Sequence, residues 1–144
     1  MARAIIDSNL YMTLGTADAA GRPWVSPVYY AGAGYTEFFW ISSPAATHSR
    51  NLAARPQVSV VIFDSRAPVN TGQGVYMSAV AEEVTGADLD RGIGIFSRRS
   101  EAHGAGEWTR KDVRPPAHHR LYRASASEHS MLGPQDQRTS VSVE

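Results

Sequence analysis

The sequence predicts a mainly β fold, a barrel or sandwich with short helices plugging its ends, on three observations. Six or seven short apolar runs follow one another closely, the turns between them are rich in Gly, Pro, Asn and Asp, and only two or three segments have helical caps and length. No internal repeat or low-complexity tract breaks this pattern. The 144 residues are most simply one domain, 1–144, able to bury about two-thirds of the surface of the unfolded chain.

Residues 2 to 9 form a short helix ended by Ser8 and Asn9. Leu10 to Ala17 reads as a strand, Asp18 to Arg22 as a turn around Gly21, and Pro23 to Ala31 as the second arm of a hairpin. Gly32 to Gly34 turns the chain into a third strand, Glu37 to Ser42, so the economical pairing is a three-stranded meander. Pro27 has no N–H to donate to a ladder, which places its strand at an edge, a bulge or an interruption in pairing. Gln57 to Asp64 is almost wholly apolar, as expected of a strand covered on both faces.

Ser65 to Gly74 is a loop and Val75 to Thr85 another strand. Asp88 to Arg99 has helical capping and length, although Gly92 and Gly94 each weaken it by roughly 1 kcal/mol relative to alanine. Gly104 to Ala117 is irregular. His119 to Ser127 and Thr139 to Val143 are closing strands separated by the Gly133-Pro134 turn.

Between the third strand and Gln57 lies the stretch around which the chain is organised, Trp-Ile-Ser-Ser-Pro-Ala-Ala-Thr-His-Ser-Arg-Asn from Trp40 to Asn51. Ser43 suits an N-cap and Pro44 the first helical position, because the leading N–H groups of a helix have no internal partner. At 100° per residue, Arg50, Thr47, Asn51 and His48 share an outward arc, and Ala45, Leu52, Ser49, Ala53 and Ala46 share a packing arc. Two hydroxyls, a helix start and donors one turn later form an arrangement suited to a phosphate or carboxylate. An ordinary capped surface helix has the same spacing, and spacing alone weighs the two readings evenly.

Composition narrows the function. Lys+Arg and Asp+Glu both number 14, so no net field gathers nucleic acid or an anionic membrane. The bases are overwhelmingly arginine, which favours bidentate contacts to phosphate or carboxylate. Cysteine is absent, removing thiolate nucleophiles, Fe–S clusters and Cys-type zinc sites. No signal-peptide core or membrane-length apolar run is present, so a soluble cytoplasmic protein is expected.

No Gly-x-Ser-x-Gly elbow, P-loop or Gly-x-Gly-x-x-Gly turn occurs. In a strand the neighbours His118 and His119 point to opposite faces, as do Glu82 and Glu83, so neither pair shares a metal or an acid–base task. No metal site is expected, and His103 and His129 read as surface residues. Trp108-Thr-Arg-Lys-Asp-Val-Arg combines an aromatic with bases. That run suits an anion or planar ring through cation–π contact, and equally an amphipathic loop cover.

Gly21-Arg-Pro-Trp-Val-Ser-Pro-Val-Tyr-Tyr, then Phe38-Phe-Trp-Ile-Ser-Ser, then His48-Ser-Arg-Asn-Leu-Ala-Ala-Arg-Pro-Gln-Val-Ser-Val-Val, in that order, resemble the pyridoxamine 5′-phosphate oxidase-like split-barrel flavoproteins. The resemblance spans roughly residues 8 to 85, with an echo at Leu121-Tyr-Arg. It implies a six-stranded antiparallel split barrel, a homodimer, and FMN at the dimer interface.

Carried onto this chain, Val25, Ser26 and Pro27 match the strand lining the isoalloxazine ring. Trp40, Ser42 and Ser43 match the strand end beside ribityl and phosphate. His48, Ser49, Arg50 and Asn51 match the phosphate-gripping segment. Gln73, and beside it Tyr76, match the position reaching the ring from the neighbouring subunit. His48 stands where many relatives carry Lys, exchanging a permanent cation for one that titrates near neutrality. Residues that bind substrate in true pyridoxamine phosphate oxidases have no match here.

The resemblance therefore implies an FMN-dependent oxidoreductase moving a hydride to or from a small organic substrate, with Tyr30 or Tyr76 as candidate proton donors. A deazaflavin (F420) reductase and a non-catalytic flavin or haem carrier are the alternatives.

Overall fold

The computed structural model describes residues 1–144. Helix α1 (Ala2–Ser8) leads into strands β1 (Tyr11–Ala17), β2 (Pro23–Tyr29), β3 (Ala31–Ala33) and β4 (Glu37–Ser42). Helix α2 (Thr47–Ala54), strands β5 (Gln57–Phe63) and β6 (Gly74–Glu83), and helix α3 (Asp88–Ala102) follow. A 3₁₀ turn at Arg110–Val113 precedes β7 (Arg120–Leu132) and β8 (Arg138–Ser140). All pairings are antiparallel, in the order β2-β1-β5-β6-β7-β4-β3, with β8 added to β7. Strands β1, β2, β4, β5, β6 and β7 are the long staves, and β3 and β8 are three-residue additions.

The expected hairpin of β1 and β2 is present. Its turn is held by the Asp18 carboxylate, which accepts from the N–H groups of Ala20 and Arg22 at 2.9 Å each. The three-stranded meander is not. β4 pairs with β3 and β7, and β2 pairs with β1 alone, so the chain crosses from one edge of the sheet to the other within a single residue, Tyr30. That crossing requires the sheet to curl until its edges approach, which makes a split barrel. Tyr30 is fully buried, its N–H donates to Leu10 O (3.2 Å) and its hydroxyl to Ile6 O (2.6 Å). The β3–β4 turn has Gly34 and Tyr35 at φ 59° and 61°, the two left-handed residues that a tight hairpin needs to match strand twist.

Alternation along β4 sorts its aromatics into two cores. Phe38 and Trp40 enter the barrel interior with Met12, Leu14, Ile62 and Val75, and α1 closes that core with Ala2 and Ile6. Phe39 faces the other way, into a second cluster with Leu89, Ile93 and Phe96 of α3 and with Leu121. Gly92 permits that contact, since a Cβ there would stand 2.9 Å from Leu121 Cδ2 and 3.0 Å from Phe39 Cε1. The glycine that weakens α3 locally thus lets it dock.

β5 departs from expectation. Val58, Val60 and Ile62 are buried, whereas Ser59 and Phe63 on the alternate face are exposed, because the barrel interior lies on one side only. β7 runs five residues beyond Ser127, drawn on by its ladder with β6 and β8. His129 is buried rather than on the surface, with Nε2 2.8 Å from Tyr35 O. No helix is long and apolar enough to cross a membrane.

Candidate anion-binding corner at the split

One end of the barrel gathers the end of β4, the start of α2 and the start of β7. Helix α2 begins later than its sequence predicts. Ser43 is not the N-cap; its hydroxyl accepts from Ala45 N–H (3.1 Å) and its carbonyl from Ala46 N–H (3.1 Å), forming a separate turn before the helix. Ala46 caps α2 without a side-chain hydrogen bond. The first helical backbone bond runs from Arg50 to Ala46, and no protein acceptor meets the N–H groups of Thr47, His48 and Ser49. These are the orphan donors of a helix start.

The helix is also rotated relative to its expected arcs. His48, Ser49, Asn51 and Leu52 are buried, while Arg50 and Ala53 are exposed. His48 and Asn51 turn inward because each finds a partner there. His48 Nε2 lies 2.8 Å from Ser42 Oγ, and Asn51 Nδ2 donates to Thr16 Oγ1 at 3.1 Å. Burial pushes the His48 imidazole below its ordinary value, so its neutral form is favoured. The cationic role expected for His48 gives way to a positioning one, holding Ser42 against α2. Asn51 likewise fastens α2 to β1, and Thr16 passes the bond on to Trp24 O of β2 (3.4 Å).

Positive charge at this corner comes from arginine. Arg50 is exposed and belongs to none of the ion pairs. Arg120 is directly opposite Ser42 in the β4–β7 ladder, which puts the two side chains on one face. Its Nη1 donates to the carbonyls of Ala117 (2.8 Å) and His119 (2.7 Å). Sequence reasoning missed Arg120, because only the pairing of β4 with β7 brings it there. The Ser49 hydroxyl is buried beside that of Tyr122. Three free N–H groups and an unpaired guanidinium fit a phosphate ester, which supplies several acceptor oxygens and negative charge.

Not every expected residue converges there. Val25, Ser26 and Pro27 run along β2, whose outer edge has no strand partner. Val25 borders an open depression of about 650 Å³ with Trp24, Gly15 and Ser59. Trp40 is fully buried and stacks on Tyr122 at 5.7 Å, so its ring belongs to the core. Gln73 lies at the opposite end of the β5–β6 ladder, where Nε2 donates to Leu132 O (3.1 Å). Within one chain it stands roughly 20 Å of strand away from the α2 end. Tyr30 cannot serve as a proton donor: burial pushes its hydroxyl up to about 12, and it is already committed to Ile6.

A family model described as pyridoxamine 5′-phosphate oxidase matches residues 1–131. The chain belongs to that family. Among solved structures it is similar to a heme binding protein from Mycobacterium smegmatis, with 24% identity and TM-score 0.77 over 99% of this chain and 56% of that one. It is also similar to HutZ, the heme storage protein from Vibrio cholerae, with 22% identity and TM-score 0.68 over 87% of each chain. A third similar structure is an F420 reductase, with 18% identity and TM-score 0.64 over 89% of this chain and 94% of that one. The chain thus spans just over half the length of the Mycobacterium smegmatis protein. No curated protein matches.

These likenesses establish the curled split barrel of the pyridoxamine 5′-phosphate oxidase family. The corner of this chain sets a buried His48, pushed below its ordinary value by desolvation, beside Arg50 and Arg120.

Proposed function

We propose that this chain is an FMN-dependent oxidoreductase that moves a hydride to or from a small organic substrate. It would act as a single flavin-binding domain in a cytoplasmic homodimer with the cofactor at the interface. The observation that carries the reading is the corner where α2 meets β4, with its unpaired donors beside the open edge of β2. Thr47 to Ser49 would receive the phosphate on their N–H groups, and Arg50 and Arg120 would balance its charge. Val25 to Pro27 would bear on the ring through the β2 backbone. FMN, when bound, supplies the redox chemistry itself, which is consistent with a chain lacking a catalytic triad or acid pair.

The dimer is supported by the outer face of the barrel. Val25, Phe63 and Val80, on the outer face, are 66%, 47% and 53% exposed, an apolar surface rich enough to favour a second copy. A partner there would cover the face of β5 that one chain leaves open, and would let Gln73 reach the neighbour's site.

Two other readings have specific support. The F420 reductase similarity favours deazaflavin on the same anion corner, and the two heme-named structures favour a carrier that binds flavin or haem without turnover.

The deciding experiment is an absorbance spectrum of the purified protein followed by titration with FMN, F420 and haemin. Size-exclusion chromatography with light scattering gives the subunit count. FMN bound most tightly, and bleached by NADH or NADPH, supports the proposal. Preference for F420 replaces the cofactor, and binding without reduction by any donor replaces the enzyme with a carrier.

A further inference from the structure

The α2 corner leaves Trp108 unused. Trp108 instead helps to close a cavity of about 470 Å³ that straddles the split of the barrel, a volume within the usual range for small-molecule sites, roughly 300–1,000 Å³. Tyr29 enters from β2, Ile41 from β4 and Phe96 from α3. Ile41 shares the α3-side face of β4 with Phe39, opposite to Ser42, and Tyr29 shares a strand face with Val25 and Pro27. The cavity therefore adjoins the open edge of β2 along which the ring is proposed to lie.

Its aromatic walls pack edge to face on one another. Tyr29 meets Phe96 at 5.7 Å and 87°, and Phe96 meets Trp108 at 6.1 Å and 84°. A flat aromatic ligand against this cluster extends the same pairing of ring faces with ring rims. The polar groups are few: Ser100, the Tyr29 hydroxyl 2.6 Å from His103 Nδ1, and His119 edge-on to Trp108 at 5.9 Å. No Asp, Glu, Lys or Arg lines the cavity; the nearest charge is Arg99, which stands beside the Tyr29 hydroxyl and donates to Asn9 O at 2.8 Å.

The walls are also fixed in place. Trp108 N–H donates to Ser97 Oγ (2.9 Å), and a capping box between Thr109 and Asp112 secures the next turn. Little ordering is then left for a ligand to drive.

We propose that this cavity is the substrate site, taking a neutral, planar aromatic of one or two rings with a ring oxygen, of the quinone class. The ring lies against Tyr29, Phe96 and Trp108, and its oxygen accepts from the Tyr29–His103 pair. Its place as substrate site rests on the flavin reading above; the binding itself does not.

The test uses 2-methyl-1,4-naphthoquinone as probe, on the protein freed of cofactor and on the FMN-loaded protein, by calorimetry and tryptophan quenching. Binding is expected in both forms. Ala105→Trp, which fills the cavity from its rim, and Trp108→Ala should each weaken it about tenfold or more, with circular dichroism and FMN affinity unchanged.

Unchanged quinone affinity in Ala105→Trp, or displacement of the quinone by haemin with a Soret band lost in His119→Ala, would overturn the proposal. No quinone binding with FMN bound normally defeats the cavity assignment alone. Quinone binding that follows the expected variant pattern in a chain with no FMN affinity defeats the flavin reading alone.

Discussion

His48 Nε2 and Ser42 Oγ lie 2.8 Å apart, a bond that joins the first turn of α2 to the end of β4. With the imidazole buried and pushed below its ordinary value by desolvation, the folded chain takes up this proton less readily than the unfolded one. Stability therefore rises with pH through this group. Its contribution is complete above the unfolded value of roughly 6.5 and is lost as pH falls through the lower folded value. Urea denaturation at a series of pH values between 5 and 8 should show the wild type losing stability on the acid side. His48→Gln, which keeps a donor but cannot titrate, should show a flatter profile. An identical profile in the two proteins would remove His48 from this role.

Arg50 projects to solvent without a partner, so its removal should leave folding untouched. Arg50→Ala is expected to weaken FMN binding about ten- to a hundredfold, the size of a charge-assisted hydrogen bond, with the denaturation midpoint unchanged. Fluorescence titration of FMN measures this directly. Unaltered affinity would place the phosphate elsewhere.

Arg120 tests the ladder that sequence reasoning could not see. If Arg120 and Arg50 meet the same phosphate, Arg120→Met should weaken FMN affinity, and the double variant should lose less than the sum of the two single losses. Strict additivity would mean that the two guanidinium groups serve separate partners.

Asn51 donates to Thr16 in the interior, and neither group has access to water there. Asn51→Ala removes the donor to Thr16 Oγ1 and leaves that hydroxyl only its long bond to Trp24 O (3.4 Å), and should destabilise the protein by about 1–3 kcal/mol. In a cycle with Thr16→Val, the second substitution should cost less once the first is made. Chemical denaturation supplies all four corners of the cycle.

Gly92 sits where a Cβ would meet the fully buried Phe39 and Leu121. Gly92→Ala gains helix propensity of roughly 1 kcal/mol but overpacks the second core, at about 1–3 kcal/mol. A net loss of about 1 kcal/mol is expected in thermal or urea melts. At Gly94, whose nearest neighbour is the flexible end of Arg98, the same change should stabilise.

The local chemistry of the sequence was enough to determine most elements: the β1–β2 hairpin from its Asp18–Arg22 turn and the hydroxyl-rich junction after β4, while Pro27 left an edge, a bulge or interrupted pairing open and the sheet order made β2 an edge. Period and turn residues act within a few positions of themselves, so they are legible without a fold. Pairing between distant strands is not local, and it decided the rest. Crossing the barrel at Tyr30 replaced the meander with a split barrel, and the β4–β7 ladder set Arg120 opposite Ser42. Tertiary partners likewise overrode the helical wheel of α2: Thr16 and Ser42 offered buried hydrogen bonds that drew Asn51 and His48 inward. Which arc of a polar helix faces the protein depends on where its partners stand, and that position exists only once the sheet has curled.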